Sequence, residues 1–287
     1  MDNGINNSQN EPNSILKLAA QRQIYKEAKE INKIIAIFSL VIPPVLAIIS
    51  IFIPNKNWSI AAKIMLLASW LCALILNLER EKNKETAALI QQQFDLYVFS
   101  LNWDYKLFKK NKNVDSIISE KSNKLFSKLP EQKDKLANWY TKDVYSLPLK
   151  KAILLCQEEN ITWDSKIRNC YMLFSVMITF LLLILILCIG IYKHDFLFII
   201  ASYIPILQWE ITSIINVKKD IKRLNSLREM INTDNNYELD DLMDIQREIY
   251  EHRQKCALIN DKIYDLLKNK LEKYSESRVK YEKGKNK

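Results

Sequence analysis

The chain is 287 residues long with a net charge of +9 at pH 7, and its basic residues are interspersed with acidic ones instead of forming the dense stripe that DNA binding needs. It holds 3 glycines, too few for a Walker loop or a dinucleotide fingerprint, and 2 histidines far apart, which leaves neither a His-based metal centre nor a Ser-His-Asp site. The 5 cysteines are scattered without a C-x-x-C pair, which argues against a disulfide framework and a zinc site. With no catalytic constellation left, an enzyme is not expected.

Residues 1–33 are polar and lack the apolar stretch of a cleaved signal, so the first span is expected to serve as the targeting signal. They read as a cytoplasmic, amphipathic lead-in. Residues 34–53 carry no charge and are long enough to cross the ~30 Å hydrocarbon core as a helix. Pro43 and Pro44 fall at the middle of this span. Proline removes a backbone donor and clashes with the preceding turn, so the helix should kink or break there. A packing kink and a gating hinge both fit that expectation. A short link, 54–59, leads to a second span at 60–78, where Lys63 lies near the outer end and can snorkel to the interface.

Residues 79–170 read as a helical cytoplasmic segment. The stretch 79–110 is rich in Glu, Lys, Gln and Ala without Gly or Pro, and should continue span two outward. Leu129–Pro130 and Leu147–Pro148 should break the segment into shorter pieces.

A third span is expected at 171–192, which is uncharged, and only 193–195 separates it from a fourth at 196–215. Links this short make each pair an antiparallel helical hairpin. Gln208 and Glu210 place polar groups in the inner half of span four. An intramembrane ionisable group usually faces a bundle interior or water, so Glu210 is a candidate pore-lining residue, with snorkelling from near the cytoplasmic end the alternative. Trp58, Tyr171, Tyr192 and Trp209 sit near span ends, as an aromatic belt would.

Residues 216–287 read as further cytoplasmic helices. The run 233–237 (TDNNY) is a breaker. The helix after it spaces Leu239, Leu242, Met243, Ile245 and Ile249 for one buried face, and Asp261 can cap a last helix carrying Ile263, Leu266, Leu267 and Leu271. Orientation follows from the flanks. The N-terminal segment holds Lys17, Arg22, Lys26, Lys29 and Lys33, whereas each short link holds a single lysine, Lys56 or Lys193. The positive-inside rule therefore places both termini and the middle segment in the cytoplasm. The expected fold is an all-α integral membrane protein: hairpins at 34–78 and 171–215, with a helical cytoplasmic domain built from 79–170 and 216–287.

In the cytoplasmic parts, aromatic and basic residues are interleaved, among them Trp103, Trp139, Tyr140, Trp163, Arg168, Arg247, His252 and Arg253. Aromatics stack on bases and arginine holds phosphates, so a nucleotide is a candidate ligand. Aromatics at helical spacing also form ordinary core.

Four segments taken together carry a resemblance: LAAQRQIYKEAK at 18–29, QFDLYVFSLNW at 93–103, WY and LP followed by CQEENITWDSKIR at 156–168, and DIQREIYEHRQKCALINDKIY at 244–264. In order and spacing the chain resembles the S-4TM family, the SMODS-associating four-transmembrane effectors. One departure is Asn260, where a proline often precedes the aspartate that is Asp261 here. The resemblance implies a bacterial antiphage role of the cyclic-oligonucleotide type (CBASS). A CD-NTase partner makes a cyclic nucleotide, and the effector in the cell inner membrane senses it and permeabilises the bilayer, giving abortive infection. On that reading Trp163, Arg168, Arg247, His252 and Arg253 are the ligand candidates, and Pro43, Pro44 and Glu210 the pore or gate candidates. A homo-oligomer is expected. No metal or cofactor is expected beyond the cyclic oligonucleotide as activating ligand. The competing reading is a membrane scaffold without a pore that recruits a partner through its cytoplasmic helices.

Overall fold

Among the residues that the computed structural model describes (2–53, 55–103, 105, 114–193, 196–231 and 236–285), every regular element is a helix. A short α1 (Ile5–Gln9) precedes α2 (Pro12–Ala36), whose first-turn proline sits where no backbone donor is needed. A π turn, Ile37–Val41, interrupts the apolar stretch before α3 (Ile42–Phe52). The Asn55 side chain then caps α4 (Lys56–Val98) by accepting from the Asn57 amide at 2.8 Å.

α4 runs without interruption from the expected second span into the segment after it, but it stops at Val98 instead of reaching 110. Ser100 takes a left-handed conformation (φ 55). The Leu101 amide donates back to the Leu96 carbonyl at 2.8 Å, and the Ser100 amide to Tyr97 at 3.1 Å. This pair of bonds closes the helix end by satisfying its last carbonyls. Residues 104 and 106–113, the remainder of that expected helix, lie outside the described residues.

After α5 (Asp115–Lys128) and α6 (Gln132–Lys135), a 3-10 turn at Lys142–Ser146 leads into α7 (Leu149–Lys193), with breaks at Pro130 and Pro148 as expected. α8 (Phe196–Met230), α9 (Leu239–Lys255) and α10 (Asp261–Lys285) complete the chain. Parts of two expected features, the link at 193–195 and the breaker at 233–237, lie outside the described residues. α9 starts with a reciprocal cap between Glu238 and Asp241, the Glu238 amide donating to the Asp241 carboxylate at 2.9 Å. The cap of α10 is Asn260, which accepts from the Lys262 amide at 3.0 Å. That corrects the expectation for Asp261, whose carboxylate lies inside the first turn and is turned toward Lys29 of α2.

The core forms around α2 and α4. Leu18, Ala19, Ala20, Ile24 and Ala28 are buried on α2, and Ala87, Ala88, Ile90 and Phe94 on α4. Alanines on both helices let their backbones approach closely. The N-terminal segment, read as a lead-in, is thus a central helix. On α9, Leu242, Ile245 and Ile249 are buried as expected, while Leu239 is exposed. On α10, Leu271 is buried and Leu266 is exposed; the seam instead continues through Ser275, Val279 and Glu282, where the helix lies against α7.

Among the described residues, one helix, α4, is long and apolar enough to cross a membrane, and only 17% of its apolar stretch is buried. The expectation of four spans is therefore met by one helix on this measure. The first expected span is split by the π turn, and the stretch 189–206, shared by the third and fourth, has side chains outside those described. Where described, the third is also open: Leu173, Phe174, Phe180 and Leu181 of α7 are exposed.

Candidate functional site

The polar helical bundle is fastened by carboxylates set on otherwise apolar helix faces. Asp95 of α4 is fully buried between Phe94 and Leu96. It accepts from the Tyr140 hydroxyl at 2.6 Å, from Gln246 at 2.9 Å and from Arg253 Nη1 at 2.5 Å. Asn160 donates to the Tyr140 hydroxyl oxygen at 2.9 Å, and Gln157 donates to Gln246 at 3.1 Å and to the Leu242 carbonyl at 2.8 Å. One carboxylate thereby joins α4, the loop before α7, α7 and α9.

A second node lies farther along α7. Asp164 Oδ2 accepts from Arg168 Nε at 3.0 Å and lies 2.6 Å from His252 Nε2. Arg168 Nη1 donates to Asp220 of α8 at 2.8 Å and to the Ala257 carbonyl at 3.0 Å, while Asp220 also accepts from the Ala257 amide at 2.9 Å. Burial alone would raise the Asp164 carboxyl, but the Arg168 charge and the His252 bond outweigh it and hold Asp164 well below the usual carboxylate range. Burial likewise opposes the charge on Arg168 and Arg253, yet their carboxylate partners keep both guanidinium groups above their ordinary value. Burial, reinforced by Asp95, pushes the Tyr140 phenol up. The nodes are paired charges at neutral pH, which is the condition for burying them.

Of the expected ligand residues, Arg168 and His252 meet at Asp164, and Arg253 meets Asp95; all three are deeply buried and engaged within the chain. Trp163 donates its indole N–H to Ser275 at 2.8 Å and packs on Tyr264 with ring centroids 6.0 Å apart, joining α7 to α10. Arg247 differs. It is only part-buried, and its ion-pair contact among the described residues is Glu248 at 3.4 Å. Asp95, Asp164 and Asp220 are not among the residues that the sequence pattern marks, whereas Tyr140 is one of its interleaved aromatics. The signal for two of them was present: Asp95 interrupts an apolar run, and Asp164 stands four residues before Arg168, one helical turn away.

Glu248, the partner of Arg247, opens on a groove of about 340 Å³ between α8 and α9. Lys219, Lys222, Arg223, Ser226, Leu227 and Met230 line it from α8, and Glu248 from α9.

In the apolar region the break at Pro43 and Pro44 is a π turn. The Ile42 amide donates five residues back, to the Ile37 carbonyl. The next carbonyl in that register, on Phe38, faces Pro43, which has no N–H to give. The Ser69 hydroxyl of α4 donates to it instead, at 2.7 Å. The side chain of Pro44 lies outside the described residues. Glu210 is half-buried on α8 without a hydrogen-bond or ion-pair partner among the described residues, and α8 packs against the π turn and α3. Near it the Tyr171 and Ser213 hydroxyls, 3.1 Å apart, tie α7 to α8.

A family model for the SMODS-associating 4TM effector domain matches residues 3–280, which takes in both polar nodes, the groove and the π turn. The chain belongs to this family. The family is one of effector domains with four membrane spans, and its name ties the S-4TM chain to the SMODS pathway. Searches of curated proteins and of solved structures find no match.

Proposed function

We propose that this S-4TM chain is a membrane effector of CBASS antiphage defence. Its cytoplasmic bundle senses a cyclic oligonucleotide made by a CD-NTase, and its spans, assembled as a homo-oligomer, permeabilise the inner membrane and cause abortive infection. The spans are 34–53, 60–78, 171–192 and 196–215, with both termini cytoplasmic. Four helices from one chain enclose too little for a wide aqueous pore, hence the oligomer.

The observation that carries this reading is continuity. α4 passes without a break from outward-facing Ile64, Leu67, Trp70 and Ile75 to buried Gln92, Phe94 and Asp95. α7 makes the same passage in reverse, from buried Ile161 and Arg168 to exposed Phe180 and Leu181. A shift of the bundle is thus delivered to the apolar ends by unbroken helices. A ligand drives such a shift only if it binds one arrangement better than the other.

The test is dye entry and membrane depolarisation in cells expressing the protein with its synthase, with nucleotide production confirmed. Leakage well above that of cells with synthase alone is expected. Leakage at the level of empty cells would overturn the pore and leave the scaffold reading.

A further inference from the structure

The groove between α8 and α9 has the charge arrangement of a phosphate site. Lys219, Lys222, Arg223 and Ser226 recur at the three- and four-residue spacing that puts them on one face of α8, and Leu227 and Met230 extend that face as an apolar floor. Among the described residues neither Lys219 nor Lys222 has an ion-pair partner. Arg223 is held in place by Glu251, donating to its carbonyl at 3.5 Å with the carboxylate at 3.8 Å. Arg247 stands beside the rim through Glu248, and its Nε is buried without a partner. At the flank of this face of α8, Asp220 is tied to Arg168 and Ala257, so the helix is pinned at the level of the groove.

We propose that this groove is the effector's ligand site and takes a phosphate-bearing compound with a planar ring, the chemistry of a nucleotide; this rests on the sensing reading above. Lys219, Lys222 and Arg223 hold the phosphate, the ring lies on Leu227 and Met230, and Glu248 accepts from a ring N–H or a sugar hydroxyl. A volume of about 340 Å³ is within the usual range for small-molecule sites, about 300–1,000 Å³. Anionic lipid offers the same phosphate, since Lys219 lies only ~6 Å along the helix from the expected end of span four at 215. A lipid headgroup, however, brings no ring to cover Leu227 and Met230. The observations favour the soluble source.

The test uses the full-length protein in phosphatidylcholine nanodiscs, titrated with trinitrophenyl-ATP, a fluorescent planar-ring triphosphate. Saturable, salt-sensitive binding is expected, at least tenfold weaker in Lys219→Gln/Lys222→Gln and a few-fold tighter in Glu248→Gln. A Lys133→Gln/Lys135→Gln control on α6 should bind as wild type does. Absence of saturable binding to the wild type, or equal affinity in the groove variant at unchanged melting temperature, overturns the site. Loss of probe binding in phosphatidylglycerol nanodiscs assigns the groove to lipid and overturns the soluble ligand. Leakage assays separate the two readings. If wild type and groove variant leak equally with the synthase, the groove fails and the effector stands. If wild type binds the probe through the groove but never leaks, the effector fails and the phosphate groove stands.

Discussion

Along α4, residues 60–78 turn Ile64, Leu67, Trp70, Ile75 and Leu78 outward, whereas residues 84–98 enclose Lys84, Gln92 and Asp95. The same helix thus exposes its greasiest residues at one end and buries charge at the other. Helix propensity does not distinguish the two ends; surroundings do. An apolar exterior is stable only where the solvent is not water, and there every backbone polar group must be satisfied internally. A polar interior is stable only where each group is paired. The Ser69 bond to the Phe38 carbonyl answers the first demand, and the pairing of Asp95 with Arg253, Gln246 and Tyr140 answers the second.

The largest expected effect tests the polar end. Arg253→Met leaves the Asp95 carboxylate buried without its cation and should cost about 3–5 kcal/mol, measured by chemical denaturation in detergent. Adding Asp95→Asn should recover most of that loss, because the stranded charge is gone. A single-variant cost under about 1 kcal/mol would break the account of the bundle as a set of paired charges.

A smaller effect tests the apolar end. Ser69→Ala strands the Phe38 carbonyl and should cost about 1–3 kcal/mol. In a Pro43→Ala/Pro44→Ala background, where backbone amides are restored, the same change should cost little. If the π turn also gates, the double proline variant changes toxicity at equal expression. Unchanged toxicity with the coupling intact would make it a packing break.

The mildest test separates the ends by pH. Asp164 has a carboxyl held well below the range of an unfolded chain, so its contribution is fully present above about pH 4 and is lost as pH falls below that toward its folded value. Fluorescence of the adjacent Trp163 should report loosening of the bundle in that acid window, while the helical signal of the apolar ends persists. Asp164→Asn should flatten this part of the profile. An unchanged acid profile in that variant would assign the transition to another carboxylate.

Much of the fold was legible. Uncharged runs mark the apolar stretches, and Pro130 and Pro148 break the chain where proline chemistry requires. The central place of α2 was less visible, because small alanines such as Ala19 and Ala20 reveal packing only once they share a core with Ala87 and Ala88 of α4. Asn260 looked like a departure and proved to be a cap. For the candidate site, aromatic–basic interleaving marked important residues without separating those turned inward from those left for a ligand. Arg253 and Arg247 lie on one helix less than two turns apart, and one is committed to Asp95 while the other pairs with Glu248 of the groove lining.

By itself the sequence determined that this chain is helical, where its apolar stretches lie and which family it belongs to, because hydrophobic run length, charge asymmetry and motif order are local properties. Only the tertiary structure decided which charges are spent on one another and which remain for a partner. Pairing joins residues such as Asp95 and Arg253 across more than half the chain, and burial turns a solvated charge into one that must be matched.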